Sequence, residues 1–275
     1  MECLIRKQAD QCTKLLINRL ETENMSKHDL TNKIVLVAGG AKNLGGLVSR
    51  TLAKDGAKIA VHYHSESAEA DAEKTVSEIK SNGGDAFSLQ GDFTQPNQIV
   101  SAFAETKKHY GGIDIAINTV GKVLKKPFSE TTEAEYDSMS AINSKAAYFF
   151  IQEAGKQLND GGKICTLVTS LLAAYTGLYS TYGGMKAPVE HFTRAASKEF
   201  GEKGISVTAV APGPMDTPFF YGQESPDAVE YHKSAAALGG LTQIEDIVPL
   251  IKFLVTDGWW ITGQTIFANG GYTTR

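Results

Sequence analysis

The feature that most constrains this chain is an alternation of short apolar runs with longer helical patterns, which begins at Lys33 and repeats almost to the end. The first run, Ile34 to Ala38, is apolar without interruption, as is typical of a strand buried on both faces. Because a helical segment separates consecutive runs, the strands must be parallel and joined by right-handed crossovers. The pattern therefore predicts an α/β fold, a doubly wound seven-stranded parallel sheet with helices on both faces.

The regular pattern lapses after Pro212 and resumes near Ile244, and a substrate lid is expected in this irregular stretch. The predicted strands are 34–38, 58–63, 86–90, 113–118, 163–169, 206–210 and 265–268. The predicted helices cover about 44–54, 68–81, 95–110, 133–158, 180–200 and 244–255.

Residues 1–30 differ from the alternating part and are expected to form a poorly ordered or helical N-terminal extension. Residues 31–275 are predicted to form one domain, since their length suits a single α/β unit. The extension lacks the apolar core of a signal peptide, and its acidic residues argue against a transit peptide.

Charge and cysteine content favour a cytoplasmic protein that acts on a small molecule. The 27 basic and 31 acidic residues give a net charge of −4, without a long run of either sign to bind nucleic acid or a membrane surface. The three cysteines are far apart and odd in number, so neither a disulfide framework nor a zinc site is indicated. No apolar stretch approaches the ~18 residues of a transmembrane helix.

A glycine-rich turn follows the first predicted strand and opens the first helix. Glycines in this setting let the backbone approach a dinucleotide pyrophosphate, while the helix N-terminus offers unpaired N–H groups. The alternative is a tight structural turn that binds nothing. The predicted cofactor contacts in this turn are Gly39, Lys42, Asn43, Leu44 and Gly45.

The end of the second strand lacks the acidic residue that would hold the ribose hydroxyls of NAD. Instead, Lys42 in the turn and His64 and Ser65 after the strand form a set that can receive a 2′-phosphate, which favours NADPH over NADH. The alternative is that His62 and His64 alternate with Tyr63 on an exposed strand end. No metal site is predicted, since only two ligands of the usual three or four are present here.

Tyr182 and Lys186 stand four residues apart, so they share one face of a helix. A phenol is a poor proton donor at neutral pH unless a nearby cation stabilises its phenolate, and Lys186 is placed to do so. Chance alone gives about one such pair in a chain of this composition, so its meaning depends on the surrounding motifs.

These motifs together resemble the short-chain dehydrogenase/reductase family over roughly Leu30 to Tyr272. The resemblance rests on the glycine turn, Asn118-Thr119-Val120-Gly121, the Tyr182/Lys186 pair, Ala211 to Pro218 and Asn269-Gly270-Gly271. The turn departs from the family pattern at Ala38, which replaces a threonine, and at Asn43, which replaces the middle glycine. Asparagine tolerates the left-handed region, so the turn can survive this change.

The resemblance implies a catalytic set of Asn143, Ser170, Tyr182 and Lys186. Tyr182 would give a proton to the substrate carbonyl, Lys186 would lower the pKa of the phenol and bind the nicotinamide ribose, and Asn143 would hold a water that returns a proton. Ser170 precedes Tyr182 by twelve positions, whereas the commonest family spacing of thirteen points to Thr169. Ser170 is preferred, and Thr169 stays open.

The resemblance also implies NADP(H) contacts at later strand ends. Asp92 matches the family residue that binds the adenine amino group, with Phe93 beside it, and the Pro-Gly segment matches the one that lies against the nicotinamide. The implied cofactor contacts beyond the turn are His64, Ser65, Asp92, Phe93, Asn118, Gly121, Tyr182, Lys186, Pro212, Gly213 and Thr217.

The predicted substrate pocket is apolar and aromatic, which suits reduction of a ketone or keto ester. Its predicted residues are Leu171, Tyr175, Tyr179, Phe219 and Phe220. The alternatives are a 3-oxoacyl-carrier-protein reductase with Lys125 and Lys126 as docking cations, a pteridine-reductase-like enzyme, and a nucleotide-binding regulator without turnover. The family packs its fourth and fifth helices into oligomers, which implies a homotetramer or homodimer.

Overall fold

The computed structural model describes residues 29–274, which form a sheet of seven parallel strands in the order β3-β2-β1-β4-β5-β6-β7. This order confirms the predicted doubly wound sheet. Residues 1–28 of the predicted extension lie outside the described residues. The strands are β1 Ile34–Ala38, β2 Lys58–Tyr63, β3 Asp85–Gln90, β4 Ile115–Asn118, β5 Lys163–Leu167, β6 Ser206–Pro212 and β7 Gln264–Ala268.

Helices pack on both faces of the sheet, because alternate strand residues point to opposite sides. Val35 and Val37 of β1 belong to one core cluster, and Leu36 and Ala38 belong to the other. The α-helices are α1 Asn43–Lys54, α2 Glu69–Ser81, α3 Pro96–Tyr110, α4 Glu133–Ser140, α5 Ala146–Gln157, α6 Ser180–Glu199, α7 Pro218–Tyr221, α8 Pro226–Ala235 and α9 Ile244–Val255. The first cluster includes residues of α1, α2 and α9, and the second includes residues of α3, α5 and α6.

Two predicted elements differ from the structure. The helix predicted over 133–158 is interrupted by a π-helical turn at Ala141–Lys145, which contains the buried Asn143. The stretch after Pro212 is not wholly irregular, since it contains α7 and α8. Each of these two helices begins with a proline at its first turn, where the missing N–H costs nothing, but both are too short to give a clear periodic pattern.

Within residues 29–274, no helix combines the length and the apolar character that crossing a membrane requires.

The glycine turn is so tight that a side chain at Gly45 has no room. A Cβ there would lie 2.1 Å from the carbonyl oxygen of Gly39. We expect Gly45→Ala to lower the free energy of unfolding by about 1–3 kcal/mol, because the backbone must move. Gly184→Ala is the control, since a Cβ at Gly184 meets nothing within 4 Å and the helix should gain about 0.5–1 kcal/mol. Urea unfolding measures both, and equal effects would contradict the packing argument.

Candidate active site

A cavity of about 510 Å³ opens at the carboxyl ends of the strands. β1 and β4 are neighbours there although they are not consecutive, which is the point where ligands bind in doubly wound sheets. Most of the predicted site residues line it: Gly39, Lys42, Asn43, Leu44, Gly45, His64, Phe93, Gly121, Ser170, Leu171, Tyr179, Tyr182, Lys186, Pro212, Gly213, Thr217, Phe219 and Phe220.

The glycine turn leads into α1, whose first turn presents open N–H groups beside this cavity. Gly39 has a φ of +74° and Asn43 a φ of +48°, so both occupy the left-handed region that the sequence anticipated for the turn. Lys42 stands at the N-cap of α1 without a side-chain capping bond, which leaves the first N–H groups of the helix open. An open helix N-terminus beside a close-packed glycine turn fits the pyrophosphate of a dinucleotide.

His62 was not predicted as a site residue, yet it fixes the turn in place. Its Nδ1 accepts a hydrogen bond from the N–H of Gly39 at 3.1 Å, and its Nε2 donates to the carbonyl of Gly91 at 2.8 Å. The ring stacks on Phe93 with 3.7 Å between centroids, and burial lowers the pKa of His62 to about 4, so it is neutral at physiological pH. The alternative of an exposed strand end is therefore wrong for His62, which is buried.

The three groups predicted to receive a 2′-phosphate differ in position. Lys42 and His64 line the cavity, whereas Ser65 does not and its hydroxyl pairs with Ser67. The ammonium of Lys42 forms an exposed ion pair with Asp71 at 2.7 Å. Such surface pairs contribute little stability, so Lys42 can exchange this partner for a phosphate.

Asp92 and Asn118 organise loops and do not themselves line the cavity. Oδ1 of Asp92 accepts hydrogen bonds from the backbone and the hydroxyl of Thr94, and these bonds hold the pKa of Asp92 below its usual value although burial opposes them. Oδ1 of Asn118 accepts from the N–H of Val120. Both side chains therefore stabilise the loops that follow their strands.

Asn143 is buried in the π-helical turn and, like Asp92 and Asn118, does not line the cavity. Its amide holds the loop after β4, because Nδ2 donates to the carbonyl of Lys122 at 2.8 Å and Oδ1 accepts from the N–H of Lys122 at 3.1 Å. A Cβ on Gly121 would lie 3.1 Å from Oδ1 of Asn143 and 3.0 Å from Nζ of Lys186. The absence of a side chain at Gly121 therefore lets these two polar atoms pack closely against the loop backbone.

Tyr182 lies on α6 at the cavity wall, with the side chain of Thr169 near its phenol. Burial raises the pKa of Tyr182 to about 12, and the nearby Thr169 hydroxyl opposes that effect. The phenol is therefore protonated at neutral pH, as a proton donor must be.

Lys186 is buried one turn further along α6, and its ammonium donates to the carbonyls of Val120 at 3.1 Å and Leu167 at 3.0 Å. Burial lowers the pKa of Lys186 to about 8. The expectation that Lys186 lowers the pKa of Tyr182 stays a prediction. Burial of the phenol outweighs every other influence on its pKa, and the ammonium bonds to backbone carbonyls.

Ser170 is almost fully buried, and its hydroxyl has two hydrogen-bond partners, one in β6 and one directly after β7. It donates to the carbonyl of Ala211 at 3.2 Å and accepts from Nδ2 of Asn269 at 3.0 Å. Thr169, at the thirteen-residue spacing, is the hydroxyl that contacts Tyr182. The structure thus distinguishes two neighbouring hydroxyls that the sequence left open.

The predicted pocket residues Leu171, Tyr179, Phe219 and Phe220 line the cavity, and the Phe219 ring lies 6.3 Å from the Tyr182 ring between centroids. The prediction for Tyr175 is wrong. Its side chain is fully exposed and does not line the cavity, because residues 175–178 form an outward loop.

Among residues 29–274, no three His, Cys, Asp or Glu side chains come together as metal ligands.

The buried ammonium of Lys186 should give stability a pH dependence. Its pKa is about 8 in the folded chain and 10.5 when unfolded, so the unfolded state binds more protons between these values and stability rises with pH there. We expect the wild type to gain on the order of 3 kcal/mol relative to Lys186→Met from pH 8 to pH 10.5. Urea unfolding of both proteins measures this, and a constant difference would contradict it.

Known proteins match this chain over most of its length. The family model described as enoyl-(acyl carrier protein) reductase matches residues 39–273. The hydroxynaphthalene reductase-like protein Arp2 of Metarhizium robertsii is 34% identical over 260 residues, which are 89% of this chain and 96% of that protein. A short chain dehydrogenase of Claviceps purpurea is 34% identical over 266 residues, covering 91% of this chain and 99% of that protein.

Solved structures agree with these matches. A Burkholderia cenocepacia protein described as a dehydrogenase, with bound NADP, is 60% identical with a TM-score of 0.90, covering 93% of this chain and 98% of that one. The angucycline C-6 ketoreductase LanV with bound NADP is 29% identical with a TM-score of 0.83, covering 89% and 97%. With the parallel sheet, the glycine turn and the Tyr182/Lys186 pair at one cavity, these matches show that the chain belongs to the short-chain dehydrogenase/reductase family of oxidoreductases.

Proposed function

We propose that this protein is an NADPH-dependent reductase that converts a ketone to an alcohol. The observation that carries the proposal is that Tyr182, protonated and close to Thr169, lines the same cavity as the glycine turn. A proton donor and a dinucleotide site in one cavity are what carbonyl reduction needs.

The reaction needs a hydride for the carbonyl carbon and a proton for its oxygen. The nicotinamide cofactor supplies the hydride. Tyr182 and Thr169 hold the carbonyl oxygen by hydrogen bonds, and Oη of Tyr182 gives it the proton. Lys186 orients the cofactor ribose from its buried position beside Leu167. Asn143 fixes the loop after β4, and a water beside its amide would return a proton from bulk to Lys186.

For the second hydroxyl we propose Thr169 in place of Ser170. The hydroxyl of Thr169 contacts the phenol, whereas that of Ser170 is engaged by Ala211 and Asn269. Ser170 then stabilises the wall behind the reacting centre.

NADPH is proposed because the ribose end of the cavity wall carries Lys42 and His64. The Burkholderia cenocepacia relative and the ketoreductase LanV bind NADP, which supports the same choice. Ser65 and Asp92 are proposed as supports of this region.

An apolar ring ketone is the proposed substrate class, since Leu171, Phe219 and Phe220 line the pocket. The carrier-protein alternative loses one docking cation, because Lys125 is paired with the buried Glu224. The relatives named for hydroxynaphthalene reduction support a fused aromatic substrate.

A homotetramer or homodimer is proposed as the assembly. Tyr148 of α5 is 44% exposed and packs against Phe192 of α6 with 5.1 Å between centroids, which leaves aromatic surface on these two helices for a second copy.

Tyr182→Phe should reduce kcat at least about 10²-fold, because the proton donor is lost. NADPH binding, measured by fluorescence, should stay within about twofold of the wild type. Tyr175→Phe is the matched control, since that phenol is exposed and outside the cavity. The assay follows NADPH consumption over a panel of ring ketones, and an active Tyr182→Phe protein would exclude this mechanism.

Thr169→Val, which keeps the shape of the side chain, should lower kcat by about 10²-fold, because a hydrogen bond to the reacting oxygen is removed. Ser170→Ala should cost less than about tenfold, since its hydroxyl only holds the wall. Steady-state kinetics of the two variants decide between the hydroxyls. A larger loss of kcat in Ser170→Ala than in Thr169→Val would instead assign the hydrogen bond to the substrate oxygen to Ser170.

Lys42→Ala should raise the KM for NADPH by about tenfold and leave the KM for NADH unchanged, because only NADPH carries the 2′-phosphate. Lys252→Ala is a suitable control, as Lys252 also forms a 2.7 Å surface ion pair, with Asp55, but does not line the cavity. Equal use of NADH and NADPH by the wild type would refute the cofactor choice.

A further inference from the structure

Three polar side chains that the proposed reaction does not use meet at the cavity wall. Glu224 follows α7, His232 lies on α8, and Tyr272 lies in the C-terminal segment after β7. Nδ1 of His232 and the hydroxyl of Tyr272 are 2.8 Å apart, and Nε2 of His232 is 3.7 Å from Oε2 of Glu224. The three groups thus form a row in which the imidazole of His232 lies between the carboxylate of Glu224 and the phenol of Tyr272.

Glu224 is a carboxylate held in place by its partners. Its side chain is 0% exposed, and it is held by Lys125, whose ammonium donates to Oε2, and by Tyr179, whose hydroxyl donates to Oε1. A buried carboxylate with a paired cation and a donor on its second oxygen has its position fixed. It does not reach a substrate itself, because these partners enclose it.

The charge of Glu224 decides which nitrogen of His232 carries the proton. Burial lowers the pKa of His232, so the ring is neutral at physiological pH and has one N–H. A lone pair on Nε2 would face the carboxylate and be repelled, so the proton lies on Nε2. Nδ1 is then an acceptor, and Tyr272 must donate its hydroxyl proton to it.

The hydroxyl oxygen of Tyr272, a residue that lines the cavity, therefore keeps lone pairs but no free proton for a ligand. The segment that carries it is anchored, since Asn269 accepts a bond from the N–H of Gly271 and donates to Thr273 and Ser170. The ring of Phe220 packs against His232 with 5.4 Å between centroids and continues the apolar wall up to this acceptor.

We propose that Tyr272 is a specificity-determining subsite that accepts a hydrogen bond from a hydroxyl of the substrate, so that the enzyme prefers ring ketones that also carry a hydroxyl. This inference rests on the ketone reduction proposed above and names its substrate class. An ether oxygen at the same ring position has no proton to give and gains nothing from this subsite.

The test compares 1-tetralone, its positional hydroxy isomers and the matching methoxy ethers as substrates with NADPH. At least one hydroxy isomer should show a kcat/KM about tenfold above its methoxy ether in the wild type, the scale of one hydrogen bond in a desolvated site. In Tyr272→Phe this preference should vanish, while kcat/KM for 1-tetralone stays within about twofold. Tyr221→Phe is the control, because Tyr221 lies on α7 but does not line the cavity.

The absence of any hydroxyl preference in the wild type, or its persistence in Tyr272→Phe, overturns the subsite. A wild type that reduces none of the ketones refutes the proposed function, and calorimetric binding of the same compounds to the NADP⁺-loaded wild type and Tyr272→Phe then judges the subsite alone. Loss of the hydroxyl preference in binding supports it, and equal binding in the two proteins overturns it.

Discussion

The parallel sheet, with helices on both faces, is the constraint on which the rest of this structure depends. Its strands are buried on both sides, so their polar neighbours can meet a ligand only where the strands end. At the carboxyl edge, β1 and β4 separate chain segments that wind in opposite directions, and a cavity opens between them. The glycine turn after β1 and the loop after β4 therefore face each other without any sequence proximity.

The proposed reacting centre combines groups that are costly to bury with partners that offset part of the cost. The ammonium of Lys186 gives hydrogen bonds to the carbonyls of Val120 and Leu167, yet burial still lowers its pKa to about 8. The Tyr182 phenol is shifted the other way, to about 12. Both shifts favour the uncharged form of the side chain. The proposed site therefore stabilises a charged Tyr182 or Lys186 only when a group of opposite charge lies nearby.

The substrate end is built differently, from segments brought together by one buried carboxylate. Glu224 contacts Lys125, Tyr179 and His232, which come from the loop after β4, the loop before α6 and helix α8. Removing any of these partners would leave a buried charge less well paired, so the wall is expected to respond as a unit. The apolar residues around it determine the shape of the substrate pocket, whereas this network supplies its polar groups.

The sequence by itself determined a parallel sheet with right-handed crossovers, because uninterrupted apolar runs alternate with helical patterns. It also located the glycine turn and the Tyr182/Lys186 pair, since their spacing is local along the chain. Only the tertiary structure decided that Thr169 contacts the phenol, that His62 holds the turn and that Tyr175 faces outward. A strand end directs adjacent side chains to opposite sides, and long-range partners such as Gly91 and Asn269 then fix each one. Such contacts depend on distances across the fold, which no spacing along the chain encodes.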